Sequence, residues 1–273
     1  MLSSLPKIDV VSQFARSMTP AWTATWLPSM TMGLGVRAAT LLAASGYAYA
    51  GMAPESQLFG PCIVDAKQPT QIALTYDDGP SDRDTFELLE VLAKHGVRAT
   101  FFMIGRFVRQ RPQIARAVAD AGHLIGNHTM THPFLMLRSP AFVEQQLRDC
   151  NAAIEDALGA PVRWFRPPHG SRRPDILRAA RELGLTTVMW NAMGYDWWPT
   201  TAEAVWRHVL RGFRKNQRRG HATNALLHDG GQAGHGQDRS HTVAATDRLI
   251  TYWKNAFAER GEACEFVTPE AWA

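Results

Sequence analysis

The sequence lacks the features that mark nucleotide-binding, disulfide-stabilised and nucleic-acid-binding proteins. No G-x-G-x-x-G or G-x-x-x-x-G-K-[ST] motif follows a predicted strand, so the glycine-rich phosphate loops are missing. The three cysteines, Cys62, Cys150 and Cys264, lie far apart without C-x-x-C spacing, which disfavours a disulfide framework and a cysteine-ligated zinc site. The sequence leaves two possibilities for these cysteines, one disulfide or three buried thiols. The net charge is only +4 and is spread along the chain, which argues against a nucleic-acid partner.

The first 69 residues also lack a convincing membrane span. The uncharged stretch 17–36 is interrupted by Ser, Thr and Pro residues, which makes it a poor membrane span. Arg37, a short apolar run and the triplet Ala48-Tyr49-Ala50 resemble a signal peptide, although they lie deep in the chain. The alternative is a short Ala-rich helix packed on the main domain. We predict an N-terminal extension over 1–69 that is compatible with membrane association, and we favour the cell envelope, periplasmic or membrane-associated, over the cytoplasm.

The composition and the pattern from residue 71 onward are those of an α/β protein. The 273 residues, 45% hydrophobic and 20% charged, suffice for one large domain or two small ones. Apolar, β-branched runs alternate with segments of helical period, which gives about seven β-then-α units. The predicted strands are 71–76, 97–104, 123–127, 163–165, 185–190, 224–228 and 265–268, and the helices are 84–95, 112–121, 140–158, 174–183, 201–215 and 242–258. This alternation predicts a parallel sheet covered by helices, either doubly wound or closed into a barrel, with its chemistry at the C-terminal strand ends.

Carboxylates and histidines follow two of these strands. Asp77 and Asp78 end the first strand before a Gly-Pro turn, a pattern that ordinary turn chemistry also explains. His128 and His132 follow the third strand, and histidines four residues apart can share a metal if the backbone makes a helical turn. Pro133 requires such a turn to end at His132. Two histidines and one carboxylate form a three-ligand site with an open position, which is the pattern of catalytic zinc.

Three further strand ends carry candidate residues. Arg166 precedes two prolines, and it is either an exposed residue of a surface turn or a clamp that holds a buried carboxylate ionised. Trp197 and Trp198 suit the core or a sugar-stacking wall. His228 is a candidate general acid. The Gly-rich loop 230–236 is expected to be mobile, and the histidines at 235 and 241 are expected to be incidental surface residues.

Five motifs at successive strand ends together resemble those of the polysaccharide deacetylase family, also called the NodB-homology domain or carbohydrate esterase family 4. They are Tyr76-Asp77-Asp78-Gly79-Pro80, His128-x-x-x-His132-Pro133, Arg166-Pro167-Pro168-His169-Gly170, Asp196-Trp197 and Leu226-x-His228. The resemblance covers about residues 70–262 and implies a catalytic domain over 70–273. It also implies a distorted (β/α) barrel of about seven strands that binds one divalent metal, usually zinc, with cobalt or manganese as alternatives.

The resemblance assigns a role to each matching residue. It implies a metal triad of Asp78, His128 and His132. It implies that Asp77 is the general base, Arg166 the residue that orients this base, His228 the general acid and Asp196 a member of the supporting network. It places Tyr76, His169, Trp197 and Leu226 on the substrate side, with Leu226 lining the acyl-methyl pocket.

Three positions depart from the family pattern. Tyr76 replaces the usual Phe, and His169 replaces a common Tyr. The second change is tolerable if the backbone N–H of residue 169 is the donor to the oxyanion. Met193 stands where many members carry an acidic residue, so we expect the network around Arg166 to be rewired.

Three hypotheses follow. The first is a metal-dependent N-deacetylase of an N-acetylated sugar polymer or oligomer, such as chitooligosaccharide or peptidoglycan. The second is a deformylase or deacetylase of a lipid-linked sugar or small amide, and the third is a non-catalytic sugar-binding barrel. A basic cluster suits an anionic membrane surface, although cations are also favoured at a solvated helix C-terminus. Its members are Arg211, Arg214, Lys215, Arg218 and Arg219.

Overall fold

The computed structural model describes residues 34–273, with side chains from residue 36 onward. Residues 17–33 of the uncharged stretch therefore lie outside the described part of the chain. The chain forms two compact units, and the boundary between them lies between Ser45 and Gly46. Residues 46–69 therefore belong to the same compact unit as the sheet. The predicted boundary of the catalytic domain at 69/70 stays a prediction. The Ala-rich segment forms helix α1 (Leu34–Met52). No helix within residues 34–273 has the length and apolar character that a membrane crossing requires.

The end of α1 is held within the second unit. Ala50 is 2% exposed, and the buried Arg172 side chain donates hydrogen bonds to the carbonyl oxygens of Ala50, Ala53 and Pro54. The Arg172 amide also donates to the carbonyl of Gly51 at 2.9 Å. The chain from residue 50 to residue 54 is therefore fixed by its carbonyl groups.

A parallel sheet forms the centre of the second unit. Its strands are β1 (Gln71–Asp77), β2 (Thr100–Met103), β3 (Leu124–Asn127), β4 (Trp164–Phe165), β5 (Thr186–Thr187), β6 (Ala192–Met193), β7 (Thr223–His228) and β8 (Glu265–Val267). Seven strands follow the order β5-β4-β3-β2-β1-β7-β6, and β8 pairs with the first half of β1. All the pairings are parallel, which confirms the predicted α/β class.

One segment, residues 63–66, connects the two sides of the curled sheet. Ile63 forms a parallel bridge with Val188, just beyond β5. The next residue, Val64, accepts a hydrogen bond at its carbonyl from Asn224 Nδ2 of β7 at 3.0 Å. The amide of Ala222, just before β7, donates to the carbonyl of Ala66 at 2.8 Å. The result is the distorted (β/α) barrel that the resemblance implied.

Helices that follow α1 surround this barrel. After α1 they are α2 (Asp84–His95), α3 (Gly105–Gln110), α4 (Pro112–Asp120), α5 (Pro140–Leu158), α6 (Pro174–Glu182), α7 (Ala202–Arg219) and α8 (Ser240–Ala258). The start of α5 follows the sequence signal, since the Ser139 hydroxyl accepts a hydrogen bond from the Phe142 amide. Gly159 ends the same helix with a φ of 67°, a left-handed conformation that glycine adopts without strain.

The alternation of side chains along β1 separates the core from the barrel interior. Ile72, Leu74 and Tyr76 belong to the large apolar cluster between the sheet and the helices. Thr75 and Asp77 point to the opposite face, where both contact Arg166. All three cysteines are free thiols, so the disulfide left open by the sequence is not formed.

Two of these helices and strands were not predicted, and two strands are shorter than expected by more than one residue. Helix α3 and strand β6 fall in stretches that the sequence left unassigned. The expected strand 97–104 pairs only from Thr100 to Met103, and the expected strand 185–190 pairs only at Thr186–Thr187. Apolar residues mark burial rather than backbone pairing, and both runs continue into buried loops.

Helix α7 approaches β6 closely because residue 212 is a glycine. A Cβ atom at Gly212 would lie 2.6 Å from Ala192 Cβ and 2.8 Å from Ala192 Cα. We expect Gly212→Ala to lower the free energy of unfolding by about 1–3 kcal/mol, because backbone atoms have to move to relieve this overlap. Urea denaturation measures this change. Gly46→Ala is the matched helical control, since nothing lies within 4 Å of its Cβ position, and an equal loss in both variants would contradict the explanation.

Candidate active site

A cavity of about 500 Å³ lies at the C-terminal ends of the strands, where the sequence predicted the chemistry. Asp77 at the end of β1 is in register with His228 at the end of β7 and with Phe102 of β2. The cavity also receives side chains from the loops after β3, β4 and β6. Its lining includes Asp77, Asp78, His128, His132, His169, Trp190, Met193, Tyr195, Trp197, Leu226, His228 and Gln232.

Asp78, His128 and His132 meet in a metal-binding arrangement. Their ligand atoms all lie within 4.8 Å of one another. Asp78 Oδ1 is 3.1 Å from His132 Nε2 and 3.4 Å from His128 Nε2. This oxygen is buried and has no hydrogen-bond partner within the described residues. Because a buried carboxylate oxygen without a partner is costly, the three residues fit a divalent cation.

The Nδ1 atoms of both histidines are hydrogen-bonded, which leaves their Nε2 atoms for a metal. His128 Nδ1 lies 2.7 Å from the carbonyl oxygen of Arg166, and a carbonyl only accepts, so Nδ1 carries the hydrogen. His132 Nδ1 donates in the same way to Gln232 Oε1 at 2.8 Å. Both Nε2 atoms therefore present lone pairs toward Asp78, as in histidine metal sites.

The charge states of these groups agree with that arrangement. Burial lowers the pKa of His132 to about 4, so the ring is neutral at physiological pH. Burial alone would raise the pKa of Asp78, but the neighbouring His128, His132 and His228 lower it below its ordinary value. A neutral imidazole and an ionised carboxylate are the forms that bind a metal.

The backbone brings the two histidines together without the helical turn that the sequence analysis required. Thr129 and His132 have φ angles of 65° and 59°, in the left-handed region. Side chains stabilise this loop, since Asn127 Oδ1 accepts from the Thr129 amide and Thr129 Oγ1 accepts from the His132 amide. Asp78, with a φ of 72°, is likewise left-handed. Such strained residues cluster at functional sites, and the surrounding hydrogen bonds maintain them.

Arg166 is the buried clamp rather than the exposed residue of a surface turn. Its guanidinium is fully buried, and Nη1 donates to Asp77 Oδ1 at 2.9 Å and to Thr75 Oγ1 at 2.8 Å. The other oxygen of Asp77, Oδ2, lies 3.7 Å from His128 Nε2. One carboxylate oxygen is therefore held by Arg166 while the other faces the candidate metal site.

The remaining donors of Arg166 are satisfied by carbonyl groups. Nε donates to the Val188 carbonyl at 3.2 Å, and Nη2 donates to the Met189 carbonyl at 3.0 Å. Its guanidinium carbon lies 4.2 Å from the centre of the Phe102 ring. Among residues 34–273, Asp77 is the carboxylate within 4.0 Å of Arg166, and the Met193 side chain lines the cavity instead. Backbone carbonyls thus complete this network without an acidic residue at position 193.

His228 and Asp196 form a second buried ion pair. His228 Nδ1 donates to Asp196 Oδ1 at 2.8 Å, and the His228 amide donates to Asp196 Oδ2 at 2.8 Å. Thr242 Oγ1 adds a hydrogen bond to Oδ2 at 2.7 Å. Burial lowers the pKa of His228, but the Asp196 carboxylate outweighs it and the net effect raises this pKa to about 9. His228 is therefore protonated at neutral pH, with Nε2–H free of this pair.

The residues predicted on the substrate side divide into two groups. Leu226, Trp197 and His169 line the cavity. The substrate-side prediction for Tyr76 is wrong, because its side chain is fully buried and stacks on Phe101 on the other face of β1. The hydroxyl of Tyr76 is hydrogen-bonded to Thr246 of α8. Residue 76 lies one position before Asp77, and successive side chains of a strand point to opposite faces.

The loop after β4 leaves one backbone donor available. Two of its residues are prolines, which have no N–H, while the Arg166 and Gly170 amides donate to the carbonyls of Asn127 and Pro167. The His169 N–H has no backbone acceptor among the residues that the structure describes. His169 itself adopts a φ of 57°, so this loop also contains a strained residue beside the cavity.

Four functional neighbours were missed by the sequence analysis. Thr75 contacts Arg166, Thr242 contacts Asp196, and Gln232 contacts His132. Asp229 lies against Gly79, where a Cβ atom would come within 2.3 Å of its Oδ2, and it accepts a hydrogen bond from Thr85. Thr75 could have been found from its spacing of two from Asp77, whereas the others come from distant segments. The histidines at 235 and 241 hydrogen-bond to Pro80, Gln110 and Asp196 rather than lining the cavity.

Known proteins are similar to this chain in sequence and in fold. A family model described as polysaccharide deacetylase matches residues 65–188. A chitooligosaccharide deacetylase of Sinorhizobium fredii is 39% identical over 185 residues, which cover 66% of this chain and 83% of that protein. A peptidoglycan-N-acetylglucosamine deacetylase of Bacillus cereus is 36% identical over 181 residues, with coverages of 66% and 79%.

Among solved structures, a CE4 family pseudoenzyme from Bacillus anthracis matches with a TM-score of 0.61 and 30% identity. The match covers 71% of this chain and 62% of that chain, so this chain spans less than two thirds of that neighbour. A pseudoenzyme with this fold means that the residues of the site, and not the fold, must support an activity. The family model, the sequence identities and the shared barrel together place this chain in the polysaccharide deacetylase family.

Proposed function

We propose that this protein is a metal-dependent hydrolase that removes N-acetyl groups from an N-acetylated carbohydrate. The observation that carries the proposal is the buried Asp78 Oδ1, which has no hydrogen-bond partner in the described chain and faces two unprotonated Nε2 atoms. A divalent cation held by Asp78, His128 and His132 would lower the pKa of a bound water and polarise the substrate carbonyl. We propose zinc ahead of cobalt or manganese, because two histidines and one carboxylate are typical zinc ligands.

Asp77 is the proposed general base. Its Oδ1 accepts from Arg166 while its Oδ2 lies beside the metal triad, so Oδ2 can accept the proton of the attacking water. Arg166 is a positioning residue, since four hydrogen bonds fix its guanidinium and the guanidinium fixes Asp77. Proton transfer then needs no rearrangement of the base.

The tetrahedral intermediate needs a donor for its oxyanion and an acid for its leaving amine. We propose the His169 N–H as the donor, because the other amides of its loop are used or absent. His228 is the proposed general acid, and Asp196 keeps its Nδ1 occupied so that Nε2–H faces the departing nitrogen. The imidazolium that results from the raised pKa holds the required proton at neutral pH.

The apolar part of the cavity suits a small acyl group. Leu226 is in register with Met193 on the neighbouring strand, and both line the cavity with Trp190. Trp197 lies edge-on to His228, with ring centres 5.4 Å apart, and is 37% exposed. We propose that Leu226 contacts the acyl methyl group and that Trp197 stacks on the sugar.

Acetate release from a substrate panel tests this function. The purified protein is incubated with chitooligosaccharide, peptidoglycan fragments and acetylxylan after treatment with a chelator, with and without added zinc. We expect release from the two N-acetylated substrates that the chelator abolishes and zinc restores, with one metal bound per chain. A protein that binds the metal but releases acetate from no substrate would favour the second hypothesis, a deformylase or deacetylase of a lipid-linked sugar or small amide. Substrates of that kind would then be assayed. If the protein hydrolysed none of these substrates either, or bound no metal, the third hypothesis, a non-catalytic sugar-binding barrel, would be favoured.

The hydrogen bond from His132 to Gln232 gives a separate prediction about metal affinity. Gln232→Ala removes the acceptor that orients His132, so we expect metal affinity to fall about 10- to 100-fold. Competition with a chromogenic chelator measures the dissociation constant. Gln110→Ala is the control, because Gln110 contacts His235 outside the triad, and an unchanged affinity in the Gln232 variant would refute the positioning role.

A further inference from the structure

A second groove of about 500 Å³ adjoins the reaction cavity and has no role in the proposed chemistry. Four residues, Pro54, Trp190, Met193 and Tyr195, line both spaces. The groove and the reaction cavity are therefore neighbours, and a substrate that occupied both would pass over these four residues. Tyr195 is about half exposed and packs edge-on against His208, with ring centres 5.0 Å apart.

One face of helix α7 forms the far wall of the groove. His208, Arg211, Lys215 and Arg218 all line it, and their spacing of three, four and three residues places them on one helical face. Gly212 allows this face to lie close to β6, because a Cβ atom there would overlap Ala192. The close packing of α7 on β6 makes the basic face part of a concave surface.

The positive charge of the groove is only partly balanced. Lys215 pairs with Glu55, which is the carboxylate among the lining residues. Arg211 and Arg218 have no carboxylate within 4.0 Å in the described part of the chain, and the side-chain hydrogen bond of Arg211 there is to the ring of His208. Helix-end electrostatics do not explain Arg211, because it lies in the middle of α7.

We propose that this groove binds an anionic group, a phosphate or a carboxylate, that is covalently attached to the sugar substrate. The inference rests on the proposed deacetylase function and names a further feature of its substrate. Two guanidinium groups without protein carboxylates match an oxyanion in charge and in the hydrogen-bond donors that they offer. The anion would anchor the substrate while the N-acetyl group occupies the cavity beside Leu226.

The concave shape favours a group of the substrate over a membrane surface. A bilayer presents a broad face to a protein, whereas these cations line a groove that shares its wall with the reaction cavity. The aromatic ring of Tyr195 at the junction suits the sugar that connects the two sites.

Paired substrates test the proposal. Three oligosaccharides of equal length are compared: a neutral chitooligosaccharide, its 1-phosphate, and an oligosaccharide that carries muramic acid carboxylates. We expect Arg211→Gln/Arg218→Gln to lower the ratio of kcat/KM for the anionic substrates to kcat/KM for the neutral one about tenfold, through KM. Arg163→Gln/Arg178→Gln removes the same charge from exposed sites that line neither space, and we expect it to leave the ratio unchanged.

Two further measurements separate the proposals. Calorimetric titration of the chitooligosaccharide 1-phosphate tests the groove without turnover, so binding that depends on Arg211 and Arg218 would support the groove even if no substrate were hydrolysed. Cosedimentation with vesicles of phosphatidylcholine, with or without phosphatidylglycerol, tests the membrane alternative. An unchanged substrate ratio, an equal loss in the control variant, or a variant that loses only vesicle binding would overturn the proposal.

Discussion

We expect Asp77→Asn to lower kcat about 10²- to 10⁴-fold, the range for loss of a general base, with a much smaller change in KM. The amide keeps the shape of the carboxylate, and its oxygen can still accept from Arg166. It cannot accept a proton from the attacking water. Because the metal ligands are untouched, we expect one metal per chain in the variant, so the loss can be assigned to proton transfer.

Two measurements test whether a folding defect, rather than loss of the base, lowers the activity. Removing the charge of Asp77 leaves the buried Arg166 without a carboxylate, and such a loss can cost about 3–5 kcal/mol of stability. Thermal denaturation therefore has to show that the variant is folded at the assay temperature. Asp82→Asn is the matched control, because Asp82 is an exposed carboxylate nearby that pairs with Arg111. Activity of the folded Asp77 variant within tenfold of the wild type would exclude Asp77 as the base.

The second large effect is expected for Asp196→Asn, which acts through His228. The Asp196 carboxylate raises the pKa of His228 to about 9, so its removal lowers this pKa. His228 is an acid only while it is protonated, and activity is therefore present below its pKa and lost as the pH rises through it. We expect the alkaline limb of the kcat profile to move to lower pH by about two units or more, and kcat at pH 8 to fall about tenfold or more.

The pH profile distinguishes this role from simple loss of structure. A structural defect would lower activity at every pH, whereas loss of the acid costs least at acidic pH, where His228 stays protonated. Asp247→Asn is a matched control, because Asp247 pairs with His95 in another histidine–aspartate pair that does not line the cavity. An alkaline limb that stays in place in Asp196→Asn would exclude His228 as the group that controls it.

Two of the predicted site residues are equally buried but lie on opposite faces of the sheet. Arg166 and Tyr76 were both assigned to the site from motifs, and both are fully buried. The Arg166 side chain reaches Asp77 from inside the barrel, whereas the Tyr76 side chain points to the helices and hydrogen-bonds to Thr246. A motif indicates which residues lie near a site, but the alternation of the strand decides which of them face it.

The loop that carries His128 and His132 illustrates a second limit. Their spacing suggested a helical turn, but left-handed residues at 129 and 132 shape the loop instead. The bonds that stabilise this shape come from Asn127, Thr129 and the distant Gln146, whose carbonyl accepts from the Met130 amide. A contact between residues 130 and 146 depends on how α5 packs, so local spacing could not reveal it.

The sequence alone determined the α/β class, the position of the chemistry at the strand ends and the identity of the metal-triad candidates. The class and the position of the chemistry follow from hydrophobic period and from residue type, which are local properties of the chain, and the triad candidates come from the resemblance to the polysaccharide deacetylase family. Only the tertiary structure decided that Tyr76 leaves the site, that Gln232 hydrogen-bonds to His132, and that the basic face of α7 lines a groove beside the reaction cavity. Each of these depends on contacts between segments far apart in the chain, which exist only after the strands have paired and the helices have packed.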